Sequence, residues 1–138
     1  MALMSLPLQG AIMTALKADA GVAALVATRV LDDVPSDPDS PPPFPYIVYG
    51  AASSVEAGAS DFDAQAETVT LHGWSQYDGQ KQAKQILAAI YAVLHDASLP
   101  ITGGTLVNLR FADMQTLRDP DGETYHGVIR FRAYVQAD

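Results

Sequence analysis

The chain has 138 residues, 49% of them hydrophobic and 17% charged, a length and balance that build one globular domain and exclude an intrinsically disordered polymer. It contains no cysteine, which removes disulfides, thiolate zinc sites, iron–sulfur clusters and a cysteine nucleophile. Sixteen acids against eight Lys and Arg leave a net charge of −8, the wrong sign for a protein whose main work is neutralising nucleic-acid phosphates.

Taken in chain order, Ser5 reads as an N-cap, and Leu8, Ile12 and Leu16 then lay one apolar stripe along a helix. Asp19 reads as the cap of a second short helix through Ala20 to Ala27. No positive charge precedes Lys17, and Gln9-Gly10 interrupts the apolar run, so Met1 to Ala20 reads as mature sequence rather than a secretion signal. Between Asp32 and Pro45, six prolines and four aspartates predict an extended acidic loop, because proline removes backbone donors and fixes φ. Tyr46 to Tyr49 reads as a strand, and the small residues from Gly50 to Ser60 read as a flexible turn or long loop. From Gln65 to Trp74, Thr68, Thr70 and His72 alternate with Val69, Leu71 and Gly73, the period of a half-buried strand expected to pair with the preceding one.

Asp78 is the expected cap of the main core helix, Gly79 to His95, which carries Ala83, Ile86, Leu87, Ile90, Val93 and Leu94 on one face. Its apolar run, Ile86 to Leu94, falls far short of the roughly 20 residues a membrane-spanning helix needs, so no membrane association is expected. Pro100 and Gly103-Gly104 end that region. Val107, Leu109 and Phe111 then alternate with Asn108 and Arg110, and Tyr125, Ile129, Phe131 and Val135 alternate with His126, Arg130, Arg132 and Tyr134. Asp119-Pro120-Asp121-Gly122 between them suits a type I turn closing an antiparallel hairpin. The expectation is a single α+β domain over residues 1–138. A mostly antiparallel sheet of four or slightly more strands packs against one long helix and the N-terminal helices, with mobile loops at about 32–45 and 50–63.

The search for catalytic machinery finds no Gly-x-Ser-x-Gly elbow, no His-Glu-x-x-His, no phosphate-cradling loop and no dinucleotide fingerprint. His72, His95 and His126 lie far apart in sequence without carboxylates at ligand spacing, and each reads as structural, His95 against the negative end of its helix. Asp119 and Asp121 lack the further alternating ligands and distal Glu of a calcium loop. Asp61 and Asp63 read as a solvated pair rather than an acid/base couple. No enzyme activity, metal or cofactor is expected.

Charge is distributed unevenly. The first seventy residues carry nine acids against two bases, and the remainder seven against six. His126, Arg130 and Arg132 project from one face of the last strand, with Arg110 joining from its neighbour, so acidic loops of one copy complement the basic stripe of the next. Such a head-to-tail contact closes into a ring when the rotation permits.

The run from Thr68 through His72-Gly73-Trp74-Ser75-Gln76-Tyr77-Asp78-Gly79 to His95 resembles the small tail-completion proteins of long-tailed phages and phage-derived gene transfer agents. Leu106 to Phe111 and Thr116 to Arg132 carry the same likeness, which extends more weakly to the N-terminal helix and to Phe44 through Val48. The resemblance implies a tail terminator, a hexameric ring that caps the tail tube, meets the head connector and lets DNA pass without specific binding. On that reading the chain resides in the virion at the head-proximal end of the tail, after assembly in the host bacterial cytoplasm. Arg110, His126, Arg130, Arg132 and Tyr77 are the expected subunit or tube contacts. Asp37, Asp39, Glu56, Asp61 and Asp63 are the expected acidic lumen or loop. Another connector component, a stopper or adaptor ring, is the alternative within assembly proteins. A small ligand-binding or hydrolytic α+β domain using His72, His126 or Asp61, or a nucleic-acid binder built on Arg110, Arg130 and Arg132, would represent a different class.

Overall fold

A computed structural model describes residues 2–34 and 42–138. The chain runs α1 (Ser5–Ala18), α2 (Ala20–Val26), β1 (Val30–Leu31), β2 (Tyr46–Glu56), β3 (Asp63–Ser75), α3 (Lys81–Leu94), β4 (Pro100–Ile101), β5 (Gly104–Arg118) and β6 (Tyr125–Ala137). Leu8, Ile12 and Leu16 of α1 are buried, as their spacing requires. Ser5 is the first helical residue rather than the cap. Met4 holds the cap position and gives its own N–H to Gln65 Oε1 at 2.8 Å, which ties the start of α1 to β3. Asp19 does cap α2, its Oδ2 accepting the Val22 N–H at 3.0 Å. Asp78 does not cap α3: Gln80 occupies that position and makes no side-chain cap bond.

The α+β expectation holds, with a larger and more mixed sheet than the sequence suggested. Six strands follow the order β1-β2-β3-β6-β5-β4. The pairs are antiparallel except for β1, which lies parallel to β2 through Val30 opposite Ile47. The two additional strands are two-residue edges, too short to show any periodicity. Pro100 sits in one of them, where a missing N–H costs no ladder bond on the outer side. No single long helix dominates, since α3 and α1 have 14 residues each. α1 packs against β1, β2 and β4, so the sheet curls until both edge strands reach the same helix.

α3 approaches the sheet over a flat spot made by two glycines paired across β3 and β6, Gly73 opposite Gly127. A Cβ on Gly73 would stand 2.9 Å from Ile86 Cγ2, and one on Gly127 would stand 2.9 Å from Leu87 Cγ. Ile86 and Leu87 fill the space that side chains would otherwise take, and both are fully buried. Val69 and Leu71 of β3, and Ile129, Phe131, Ala133 and Val135 of β6, complete the helix-covered core.

Three irregularities alter the simple alternation. β2 shifts register between Tyr49 and Ala52 and then continues as an exposed strand to Glu56, so the segment read as a loop from Gly50 is paired backbone over its first half. Ser54 there donates to Glu67 Oε2 at 2.6 Å, and the other oxygen of this buried carboxylate has no hydrogen-bond partner among the described residues. Burial raises the Tyr49 hydroxyl well above its ordinary pKa, with the Glu67 and Asp32 charges adding to the effect. β5 bulges between Leu106 and Asn108 and again between Phe111 and Asp113. The first bulge turns Leu106 and Leu109 inward and leaves Val107 53% exposed, against the expected Val107/Leu109 alternation.

The β5–β6 hairpin forms as expected, with the Gly122 N–H donating to Asp119 O at 3.0 Å. The segment after α3 folds onto the outer rim of β5. The Asp96 N–H donates to Leu109 O at 2.8 Å, and the Phe111 N–H donates to His95 Nδ1 at 3.1 Å. His95 therefore serves a strand edge rather than its own helix carbonyls, stacked on Tyr91 with centroids 4.7 Å apart.

Candidate functional site

From Ala66 onward in β3, and throughout β6, strand periodicity sends the even-numbered residues to the face that carries none of the main core cluster. Two distinct areas share this open face. One is the expected basic stripe. Cross-strand register places Arg110 opposite Arg132, Asp113 opposite Arg130, and Leu117 opposite His126, so the four predicted residues do line one surface. Two of the cations are already engaged. Arg130 Nε lies 2.9 Å from Asp113 Oδ1, and Arg110 Nη1 lies 2.7 Å from Asp96 Oδ1. These pairs relieve the repulsion that facing guanidinium groups would otherwise create. Arg132 makes no ion pair among the described residues.

The second area joins residues that the sequence keeps far apart. His72 and His126, 54 residues apart, meet with Nδ1 of the first 2.6 Å from Nε2 of the second. Trp74 stacks flat on His126, with ring centroids 3.8 Å apart and planes 7° from parallel. Gly50 makes room for this cluster, because a side chain there would collide with the His72 ring. Burial lowers the pKa of both histidines, and for His126 the neighbouring His72 lowers it further while Asp119 partly opposes the shift. The pair is thus held neutral near neutral pH, one ring donating to the other.

Around it lies a groove of about 540 Å³ lined by aromatic and apolar side chains from β2, β3 and the segment just before β2, among them Phe44, Tyr46 and Trp74, and closed on one side by the hairpin turn. The Phe44 and Tyr46 rings lie 5.0 Å apart with planes tilted by 39°, and Tyr46 faces Trp74 across the strands. The turn is held rigid by Asp121, which accepts from the Glu123 and Thr124 backbone N–H groups and from the Thr124 hydroxyl at 2.6 to 2.9 Å. Those donors hold the Asp121 carboxyl below the ordinary carboxylate range. Asp119-Pro120-Asp121-Gly122 is therefore the turn it was read as, and Asp119 and Asp121 both line the groove.

The remaining predicted residues are scattered. Tyr77 is 62% exposed just beyond β3 and lines a second cleft beside the groove. Trp74 is half-buried on the open face. Glu56, Asp61 and Asp63 are exposed at the tip of the β2–β3 connection, where Glu56 Oε1 accepts the Gly58 N–H at 2.8 Å. Asp37 and Asp39, with the middle of the proline-rich segment, lie outside the described residues. Among the described residues no three His, Asp or Glu side chains gather as a metal site, and no helix is long and apolar enough to cross a membrane.

A family model for the tail completion protein gp17 matches residues 10–136. The chain belongs to the gp17 family of tail completion proteins. The tail completion protein gp17 of Bacillus phage SPP1 is 27% identical over 104 residues, covering 75% of this chain and 77% of that protein. The solved structure of bacteriophage SPP1 gp17 covers 96% of this chain and 95% of its own, with a TM-score of 0.63 and 27% identity. A chain from the virion of a native gene transfer agent particle superimposes with a TM-score of 0.89 at 28% identity, covering 99% of this chain and all of that one. Family membership makes this a structural tail protein rather than an enzyme, in accord with the sequence reading.

Proposed function

We propose that this protein is a tail terminator: a hexameric ring at the head-proximal end of the tail that caps the tube and receives the head connector. The observation that carries the reading is the end-to-end likeness to a chain assembled in a virion, which extends through the helices, the sheet and both hairpin arms. Charge is consistent with it. Glu56, Asp61 and Asp63 gather at one tip of the molecule, and a channel lined by such tips repels phosphates, so DNA slides through without being held. Arg132, the one stripe arginine without an ion pair among the described residues, is available to an acidic patch of the next subunit, with Arg110 opposite it and Arg130 beside it on the same face. Ring closure then follows from repeating one heterologous contact. Assembly takes place in the host bacterial cytoplasm, before the tail joins the head.

The test is to mix purified protein with purified tail tubes and image the tube ends by negative stain, with gel filtration reporting the state of the free subunit. Six-fold rings at one end of each tube support the reading. Absence from tube ends, or location at the head side of a connector detached from the tail, overturns it.

A further inference from the structure

Several features remain unexplained by ring formation: the His72–His126–Trp74 stack, the groove above it, and the adjoining cleft. We propose that this groove is a docking site for an extended peptide segment of a neighbouring particle protein, anchored by an arginine or lysine side chain seated between the aromatic wall and the turn carboxylates. The inference rests on the reading of this chain as an assembly component and adds the chemistry of one of its contacts.

Electrostatics selects the occupant. Among the described residues, the charged side chains lining the groove are Asp119 and Asp121, with no lysine or arginine in the lining. Asp121 is kept ionised by its three donors. The histidine floor adds no positive charge at neutral pH, since burial holds both rings in the neutral form. Phe44, Tyr46 and Trp74 supply π-systems, which attract a cation by their quadrupole. An anionic ligand would meet two carboxylates, while the Arg118 guanidinium, whose charge acts on Asp121, donates to Gly122 O at 2.9 Å and stands outside the lining.

Shape favours a peptide over a compact solute. The groove of about 540 Å³ shares Phe44 and Gln76 with a second cleft of about 680 Å³, walled by Pro42, Pro43, Pro45 and Tyr77. The two adjoin at these shared residues, which leaves space beside an anchor for the residues that flank it. Rim polar groups are fixed in place: Gln76 donates to Thr124 Oγ1 at 3.2 Å, and that hydroxyl in turn donates to Asp121. A pre-organised site of this kind does not have to order itself before binding.

Trp74 is the sole tryptophan of the chain, so its fluorescence reports on this groove alone. The experiment titrates the full chain with blocked pentapeptides carrying a central arginine, its neutral isostere citrulline, or glutamate, while backbone NMR maps the shifts. The arginine peptide is expected to change Trp74 emission and to shift Gln76, Asp119 and Thr124. Citrulline should bind about tenfold more weakly, and Asp119→Asn should weaken the arginine peptide by a similar factor. Equal binding of arginine and citrulline, shifts confined to the Arg132 stripe, or a Trp74 signal that follows protein concentration and is not displaced by peptide each overturn the proposal. The last result would mean that another copy of the chain fills the groove. Tube-end imaging separates the two readings: protein that caps tubes but ignores the arginine peptide refutes only this inference.

Discussion

The two faces of the sheet obey opposite rules. On the helix-covered face, every side chain from Val69 to Leu71 and from Ile129 to Val135 that points inward is apolar, and two glycines are given up so that Ile86 and Leu87 can reach the strands. On the open face, histidines, a tryptophan, arginines and aspartates lie within a few strands of one another, paired among themselves and only partly covered. The first face is a solution to the hydrophobic effect. The second has surface chemistry that the fold does not require, which is where selection for partners leaves its mark. A protein that works by fitting others needs the first face inert and the second specific.

The contrast can be broken from the covered side first. Truncating Leu87 to Ala leaves a cavity over Gly127, and the expected loss is about 2–5 kcal/mol of unfolding free energy, read as a lowered urea midpoint. Trp74 emission of the still-folded fraction should stay unchanged, since the cavity opens on the other side of the sheet.

The next effect is a pH dependence from the open side. His72 on β3 and His126 on β6 face each other, with Asp119 of the turn nearby and Tyr46 of β2 bordering the groove. Their pKa values are lowered in the folded chain from the ordinary 6.5, so below that pH the unfolded chain binds more protons than the folded one. The stability they contribute is complete above pH 6.5 and is lost as pH falls through the lowered values. Thermal midpoints should decline between pH 7 and pH 5 in the native protein, and decline less in a His72→Gln, His126→Gln double variant.

The smallest effect sharpens the comparison by its near absence. The Arg130–Asp113 pair is about half exposed on both sides, and a double-mutant cycle with Arg130→Gln and Asp113→Asn should return a coupling of about 0–1 kcal/mol. Arg132→Glu should leave stability within about 0.5 kcal/mol of the parent while abolishing capping of tail tubes, if the stripe meets the next subunit.

Much of the covered face was legible from residue order. Strands β3 and β6 alternate cleanly, α3 repeats its apolar residues at helical spacing, and the Asp-Pro-Asp-Gly turn fixes the final hairpin. The open face was legible only as a list of residues, because what it does depends on register. Nothing local says that Gly73 pairs with Gly127, yet that pairing alone brings His72 and Trp74 to His126. Bulges defeat reading for the same reason. One extra residue near Val107 puts Leu106 inside and Val107 outside, a second bulge shifts the register again after Phe111, and no propensity marks either position. The outer half of β2 looked like a loop because Ala51, Ala52, Ser53 and Ser54 are small, and only pairing with β3 makes them a strand. The carboxylates that neutralise Arg110 and Arg130 are visible as acids, but Asp96 becomes a partner only once the segment after α3 crosses the edge of β5, and Asp113 only once the second β5 bulge sets it opposite Arg130.

That crossing bears on how such a chain avoids sticking to itself in the wrong way. An uncovered strand rim invites another backbone to zip onto it, and repeated copies would then grow into fibres. Here the Asp96 amide and the His95 imidazole occupy hydrogen-bonding positions on the rim of β5 that an incoming strand would need. Copies of the chain are thereby steered away from open-ended stacking of their backbones, which leaves side chains as the means of contact on this side.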